Sequence, residues 1–227
     1  MGAPLPYRDL LRRALALPLP GARAQRLMAP VPRPGWNPEE DAPAGRPAAV
    51  LVLIYPGSAD PAEATLVLTE RTAALEWHKN QISFPGGRIE PGESPSEAAR
   101  REAEEELGIP REAPQVLGEL SSLWVPATGF TIHPVVAAAD ERPRFSPNAR
   151  EVGRVIETSL AHLMRPETVR RARSMMEGRW VAVPYFDLAG ARLWGATAMI
   201  TSELLALLGW PGPPAARGDH SDISPGE

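Results

Sequence analysis

The chain has 227 residues, 43% of them hydrophobic, and a net charge of −4, which suits one domain with extensions better than two full domains. The acidic balance excludes a global pull toward nucleic acid or an anionic membrane, so an anionic substrate must be drawn by local features such as a metal ion or a few arginines. With no cysteine, disulfides and thiolate chemistry are excluded too, and no run approaches the ~20 apolar residues of a membrane span.

Basic residues are almost all arginine, Lys79 being the only lysine, and 27 prolines accompany them. We read that as compositional bias, not as function in bulk. The apolar stretch 15–19 is too short and proline-broken for a signal-peptide core. Pro6 stands where a myristoylation signal needs Ser or Thr. The expected location is the cytoplasm.

Leu10, Leu11, Ala14 and Leu15 give residues 7–17 a helical spacing that ends at Pro18. Residues 18–47 are dense in proline, glycine and charge and read as an irregular connection. The continuous apolar run 48–55 fits a central strand buried on both faces, and 65–69 reads as a second strand. Ser94, Pro95 and Glu97 make a capping box that opens a helix, and Gly108 and Pro110 stop it. Further strands are expected near 115–124, 131–139, 151–158, 180–183 and 191–194, then a last helix over 201–208. Beyond Gly209 the chain lacks apolar periodicity and is expected to be disordered. The resulting division is 1–46 as an N-terminal helix and proline-rich extension, 47–210 as the main domain and 211–227 as a tail. No internal repeat is present.

Residues 87–109 carry the densest pattern. Gly87 is followed six residues on by Glu93, then by Arg101-Glu102, Glu105-Glu106 and Gly108. On a helix, Ala99, Ala103 and Leu107 form an apolar stripe, and Glu102, Glu105 and Glu106 fall on an arc of roughly 100° beside it. Three carboxylates so placed repel one another unless a cation sits among them. A glutamate run on a helix is by itself commonly a solvated face; the flanking glycines and the Glu93–Arg101 spacing set this one apart.

The stretch resembles the Nudix box, Gly-x5-Glu-x7-Arg-Glu-U-x-Glu-Glu-x-Gly-U with U aliphatic, and meets every fixed polar and glycine position. The resemblance implies a Nudix α/β/α sandwich with a mixed β-sheet, and metal-dependent hydrolysis of a diphosphate linkage. It implies Mg²⁺ or Mn²⁺ held by Glu102, Glu105 and Glu106 with the Gly87 carbonyl nearby, and Glu93 pairing with Arg101 to lock helix to loop. The proton acceptor varies in the superfamily, so Glu102 and a distant loop glutamate, here Glu151, both stand as candidates.

The segment before the box is similar to the upstream motif of coenzyme A pyrophosphatases. It runs Leu68-Thr69-Glu70-Arg71-Thr72, then Leu75-Glu76-Trp77-His78, then Gln81-Ile82-Ser83-Phe84-Pro85-Gly86-Gly87. Thr128-Gly129-Phe130 before Pro134-Val135, Pro147-Asn148 with Glu151-Val152, and 193–198 extend the likeness. Glu76 and Asn80 stand where that motif has arginine and glycine. Despite these two departures, the resemblance implies coenzyme A or a derivative as the substrate, with Arg71, His78 and Phe130 as contacts. The alternatives are ADP-ribose, nucleotide sugars, dinucleotides or nucleoside triphosphates, and more remotely a non-catalytic nucleotide-binding module. Neither nucleic acid nor membrane is an expected partner, and the N-terminal extension either decorates the domain or lines a homodimer interface.

Overall fold

The computed structural model describes residues 6–32, 45–72, 81–176 and 178–214. Helices α1 (Pro6–Leu15) and α2 (Gly21–Gln25) come first, and a single 3-10 turn, Arg26–Met28, follows them. Strands β1 (Arg46–Pro56), β2 (Ala64–Arg71), β3 (Ile82–Ser83) and β4 (Gly86–Arg88) lead to helix α3 (Pro95–Leu107). Next come β5 (Gln115–Glu119), β6 (Leu123–Val125), β7 (Phe130–Ala138), β8 (Val152–Ser159) and the short α4 (Leu160–Leu163). Strands β9 (Val169–Met176), β10 (Arg179–Asp187) and β11 (Arg192–Trp194) precede α5 (Gly195–Leu207).

The main sheet is mixed. Its path is β3-β2-β1-β7-β5, with β4 joining β1, β6 joining β7 and β8 joining β2. β1 and β7 run parallel over Arg46↔Phe130 to Ile54↔Ala138, and their neighbours are antiparallel. Alternate residues of β1 point to opposite faces. Ala49, Leu51, Leu53 and Tyr55 pack with Ala99, Ala103 and Leu107 of α3; Val52 and Ile54 pack with Met199, Leu204 and Leu205 of α5. A strand covered on both sides has no polar face, which is why it reads as one unbroken apolar run. Helix, sheet and helix form three layers, and β11-β10-β9 make a small second sheet beside α5.

The structure revises three expectations. The stretch after Pro18 is partly helical, because Ala24 and Met28 are buried in the shared core and tertiary packing overrides the glycine and proline signals. The last helix begins at Gly195, six residues before the expected start. Its cap, Trp194, makes no side-chain hydrogen bond, so the usual start signal is missing. β9, with the sequence VRRARSMM, was not expected as a strand: its exposed and half-buried positions lack an apolar set. Residues 33–44 and 215–227, and with them most of the proline-rich segment and the tail, lie outside the described residues.

Candidate active site

Helix α3 is fixed at both ends. The Ser94 hydroxyl accepts from the Glu97 amide at 3.3 Å, and the Glu97 carboxylate accepts from the Ser94 amide at 2.8 Å. Gly108 ends the helix with φ 68°, a conformation that costs glycine little. The loop after β7 then closes over that end: the Ser146 amide donates to the Leu107 carbonyl at 2.7 Å and the Asn148 amide to the Glu106 carbonyl at 2.9 Å. These two contacts satisfy carbonyls that a helix end otherwise leaves open. The same loop delivers Glu151, whose carboxylate accepts from Asn148 Nδ2 at 3.2 Å and whose carbonyl accepts from the Thr72 amide at 3.0 Å.

Arg101 ties the helix to the preceding loop. It donates to both Glu93 oxygens at 2.8 and 3.1 Å and to the Arg88 carbonyl at 2.9 Å. Its remaining nitrogen donates to Glu102 Oε1 at 2.8 Å and lies 3.6 Å from Glu105 Oε2. The hydrogen bond from Arg101, aided by the Glu90 amide, holds the Glu93 carboxyl below its ordinary range.

The interior glutamates are less well served. Glu106 is only 4% exposed, and its Oε2 is buried without a hydrogen-bond partner among the described residues. Burial, then the negative charge of Glu102, pushes its carboxyl up to about 8; Arg71 opposes that and Glu151 adds to it. Burial likewise raises Glu102, against the pull of Arg101 and with the repulsion of Glu105 and Glu151. Gly87 makes the arrangement possible, since any side chain there would run into the Glu102 carboxylate. The structure thus gathers Glu102, Glu106, Glu151, Arg71 and Gly87. It leaves Glu105 at the rim, its side chain 53% exposed and turned to Arg101. Among the described residues no three acidic or histidine side chains already form a metal cage. What the site holds is excess negative charge around one unpaired buried oxygen, which a proton or a cation would relieve.

A cleft of about 740 Å³ opens from this point toward α5, within the usual range for small-molecule sites. Arg71, Gly86, Gly87, Phe84 and Arg88 line one end, and Thr128, Phe130, Trp194, Thr197 and Met199 line much of the rest. The Arg46 guanidinium sits 4.3 Å from the Phe130 ring centroid and Arg88 5.6 Å from it. The Nε of Arg71 is buried without a partner among the described residues. His78 lies outside the described residues, as do Glu76 and Asn80. Arg46, Asn148 and Trp194 were not read as site residues. Arg46 carries no local signal, Asn148 stands only within the Pro147-Asn148 likeness with no role attached, and Trp194 reads as packing the last helix against the sheet.

A family model described as the NUDIX domain matches residues 45–183. The chain belongs to the Nudix hydrolases and is a pyrophosphatase of that family. It is 33% identical over 141 residues to an uncharacterized Nudix hydrolase, NudL, of Photorhabdus laumondii; the match spans 62% of this chain and 75% of that one. It is also 33% identical over 167 residues to the Mus musculus protein named mitochondrial coenzyme A diphosphatase NUDT8, spanning 72% of this chain and 79% of the relative. Among solved structures, a Nudix hydrolase of M. smegmatis, RenU, superposes with a TM-score of 0.49 at 22% identity, covering 76% of this chain and 90% of that one. No helix among the described residues is long and apolar enough to cross a membrane.

Proposed function

We propose that this protein uses a divalent cation to hydrolyse the diphosphate linkage of coenzyme A or a derivative, releasing 3′,5′-ADP and 4′-phosphopantetheine. The observation that carries the reading is the buried oxygen of Glu106, without a hydrogen-bond partner among the described residues, next to Glu102, whose carboxylate abuts Gly87 in the wall of a substrate-sized cleft. Nudix hydrolases generally use divalent metal ions, and carboxylate oxygens are donors suited to Mg²⁺ or Mn²⁺. Glu102 and Glu106 would hold the ion, with Glu105 as a third ligand after a side-chain rotation and the Gly87 carbonyl close by. When bound, the ion supplies charge neutralisation on the phosphoryl oxygens and a more acidic water.

The chain's own residues do the remainder. Water forms a bond to one phosphorus, the bridging P–O bond breaks, and the bridging oxygen leaves with the other phosphate. Glu151, held by Asn148, or Glu102 accepts the water's proton. Arg71 directs a guanidinium toward the phosphoryl oxygens. Glu93, acting through Arg101, keeps the helix registered on its loop. Phe130 offers a face for the adenine.

Support for coenzyme A comes from the segment 68–87 and from the relative named coenzyme A diphosphatase NUDT8. Glu76, where an arginine is expected, favours a second reading: a pyrophosphatase of ADP-ribose, nucleotide sugars, dinucleotides or nucleoside triphosphates. A panel of these compounds with Mg²⁺ or Mn²⁺, read by product chromatography, separates the two. We expect coenzyme A to have the highest kcat/KM; a clear preference for ADP-ribose overturns the assignment, and no turnover of any compound would favour a binding module.

A further inference from the structure

Residues 139–151 connect β7 to β8 and, among the described residues, hold neither helix nor strand. This connection nonetheless delivers Glu151 to the site. An irregular segment of that length takes its order from anchoring contacts, since no backbone ladder supplies it. Its later half is fastened to α3 by the Ser146 and Asn148 amides. Its earlier half has a separate anchor on the same side of the main sheet: Tyr55 belongs to the apolar layer under α3, and Phe145 packs against that layer.

Arg142 is the centre of that anchor. Its Nε donates to Glu157 Oε1 at 2.9 Å and its Nη2 to Glu157 Oε2 at 2.6 Å. Such a two-pronged pair fixes the guanidinium in orientation as well as in distance. Glu157 Oε1 also accepts from the hydroxyl of Tyr55 at 2.8 Å, a residue fully buried on β1. The Arg142 guanidinium lies 5.1 Å from the centroid of the Phe145 ring, and Phe145 meets the Tyr55 ring edge-on at 6.0 Å. Arg142 and Phe145 from the loop, Tyr55 from β1 and Glu157 from β8 thus close on one another. An ion pair this exposed, 40% for the Arg142 side chain and 29% for Glu157, contributes little to global stability. The pair therefore matters for where the loop sits more than for whether the domain folds.

We propose that Arg142 is a positioning residue for catalysis: with Glu157, Tyr55 and Phe145 it fixes the loop so that the Glu151 carboxylate stays beside Glu102 and Glu106. The inference rests on the reading of Glu151 as the proton acceptor. Phe145 immediately precedes Ser146, so the anchor passes directly into the stretch that closes the end of α3 and leads to Glu151. Arg142 does not line the 740 Å³ cleft, and its loss leaves the substrate-binding wall intact.

The test is a cycle of Arg142→Gln, Glu151→Gln and the double variant, with folding checked by circular dichroism and melting. Kinetics use whichever diphosphate compound the parent cleaves best, and hydrogen exchange is read by mass spectrometry on peptides covering 139–151. Arg142→Gln should lower kcat about tenfold with KM within about twofold, since misplacing a reacting group is costly even from a distance. In the Glu151→Gln background the same change should cost less than about twofold, because the group it positions is already gone. The Ser146 and Asn148 amides should exchange faster in Arg142→Gln. Glu157→Gln, which keeps the side-chain shape and removes the charge, should act in the same direction and serves if Arg142→Gln does not fold. An equal loss of kcat in both backgrounds, or a kcat of Arg142→Gln within twofold of the parent, overturns the positioning role. If Glu151→Gln alone leaves kcat unchanged, the acceptor reading fails by itself; the exchange data still decide, because unaltered exchange in Arg142→Gln refutes the anchor.

Discussion

The two faces of the main sheet are built by different means. On the α3 side, the site-forming residues lie within one stretch, 87–106, and a capped helix holds them at fixed angles. Only Arg71 and Glu151 come from elsewhere. On the α5 side, the cleft is assembled from β1, β2, β3, β4, β6, β7, β9, β11 and α5, with no two successive elements supplying most of the wall. The first design constrains charge and leaves little freedom; the second constrains shape and lets single residues vary. Catalytic loss should therefore concentrate on the α3 side, and changes in substrate preference on the α5 side.

The sharpest break is expected at Glu106. Glu106→Gln should lower kcat by more than about a hundredfold if Glu106 is the metal ligand proposed above, since losing a ligand outranks the 10–100-fold that loss of an outer support costs. Because it also removes a buried ionisable group, the metal-free variant should melt no lower than the parent at alkaline pH, which calorimetry checks. Turnover within threefold of the parent would remove Glu106 from the site. Glu151→Gln comes next. As the proton acceptor, its loss should cost about a hundredfold in kcat with KM nearly constant; an unchanged rate would leave Glu102 in that role.

Adjacent glycines give a third, smaller contrast. A methyl group at Gly87 meets the far end of the Glu102 side chain, whereas one at Gly86 meets the backbone of Ala49 and Val50. Gly87→Ala should lower activity roughly tenfold while stability stays within ~0.5 kcal/mol. Gly86→Ala should destabilise by about 1–3 kcal/mol. Measured together, kcat and the urea midpoint should move in opposite proportion for the two variants.

The mildest effect concerns pH. The Glu106 carboxyl binds its proton more tightly folded than unfolded, its folded value being about 8. The stability this gives the metal-free protein is full below the ordinary carboxylate value and is lost as pH rises toward 8. Melting temperature without metal should fall across that window, and less steeply in Glu106→Gln. Added Mg²⁺ should raise melting more at about pH 8.5 than at about pH 5.5, because the ligand must be deprotonated. A Mg²⁺ shift independent of pH would contradict the assignment.

How far the sequence could be read follows the same division. The box helix was legible to the residue, since Ser94, Pro95, Glu97 and Gly108 act locally. β1 was legible because burial on both faces leaves an unbroken apolar run. Roles that depend on backbone atoms left no trace: the Ser146 and Asn148 amides that close the helix end are donors any residue but proline could supply. The start of α5 was hidden because its first residue, Gly195, has a positive φ and its cap has no side-chain acceptor. The basic strand β9 was hidden because charged residues on a partly exposed edge mimic a loop.

Glu203 has a consequence for where this molecule can be cut. Its fully buried carboxylate accepts from the Gly21 amide at 3.0 Å, the Ser121 amide at 3.2 Å and Gln25 Nε2 at 2.8 Å. Two of those donors precede the segment 45–183 shared with the family, and Glu203 itself follows it. Trimming the protein to the shared segment would discard both halves of this knot, and removing only residues before 26 would strand a charge in the interior with one donor left. The flanks are halves of one clasp: they have to be kept, or removed, as a pair.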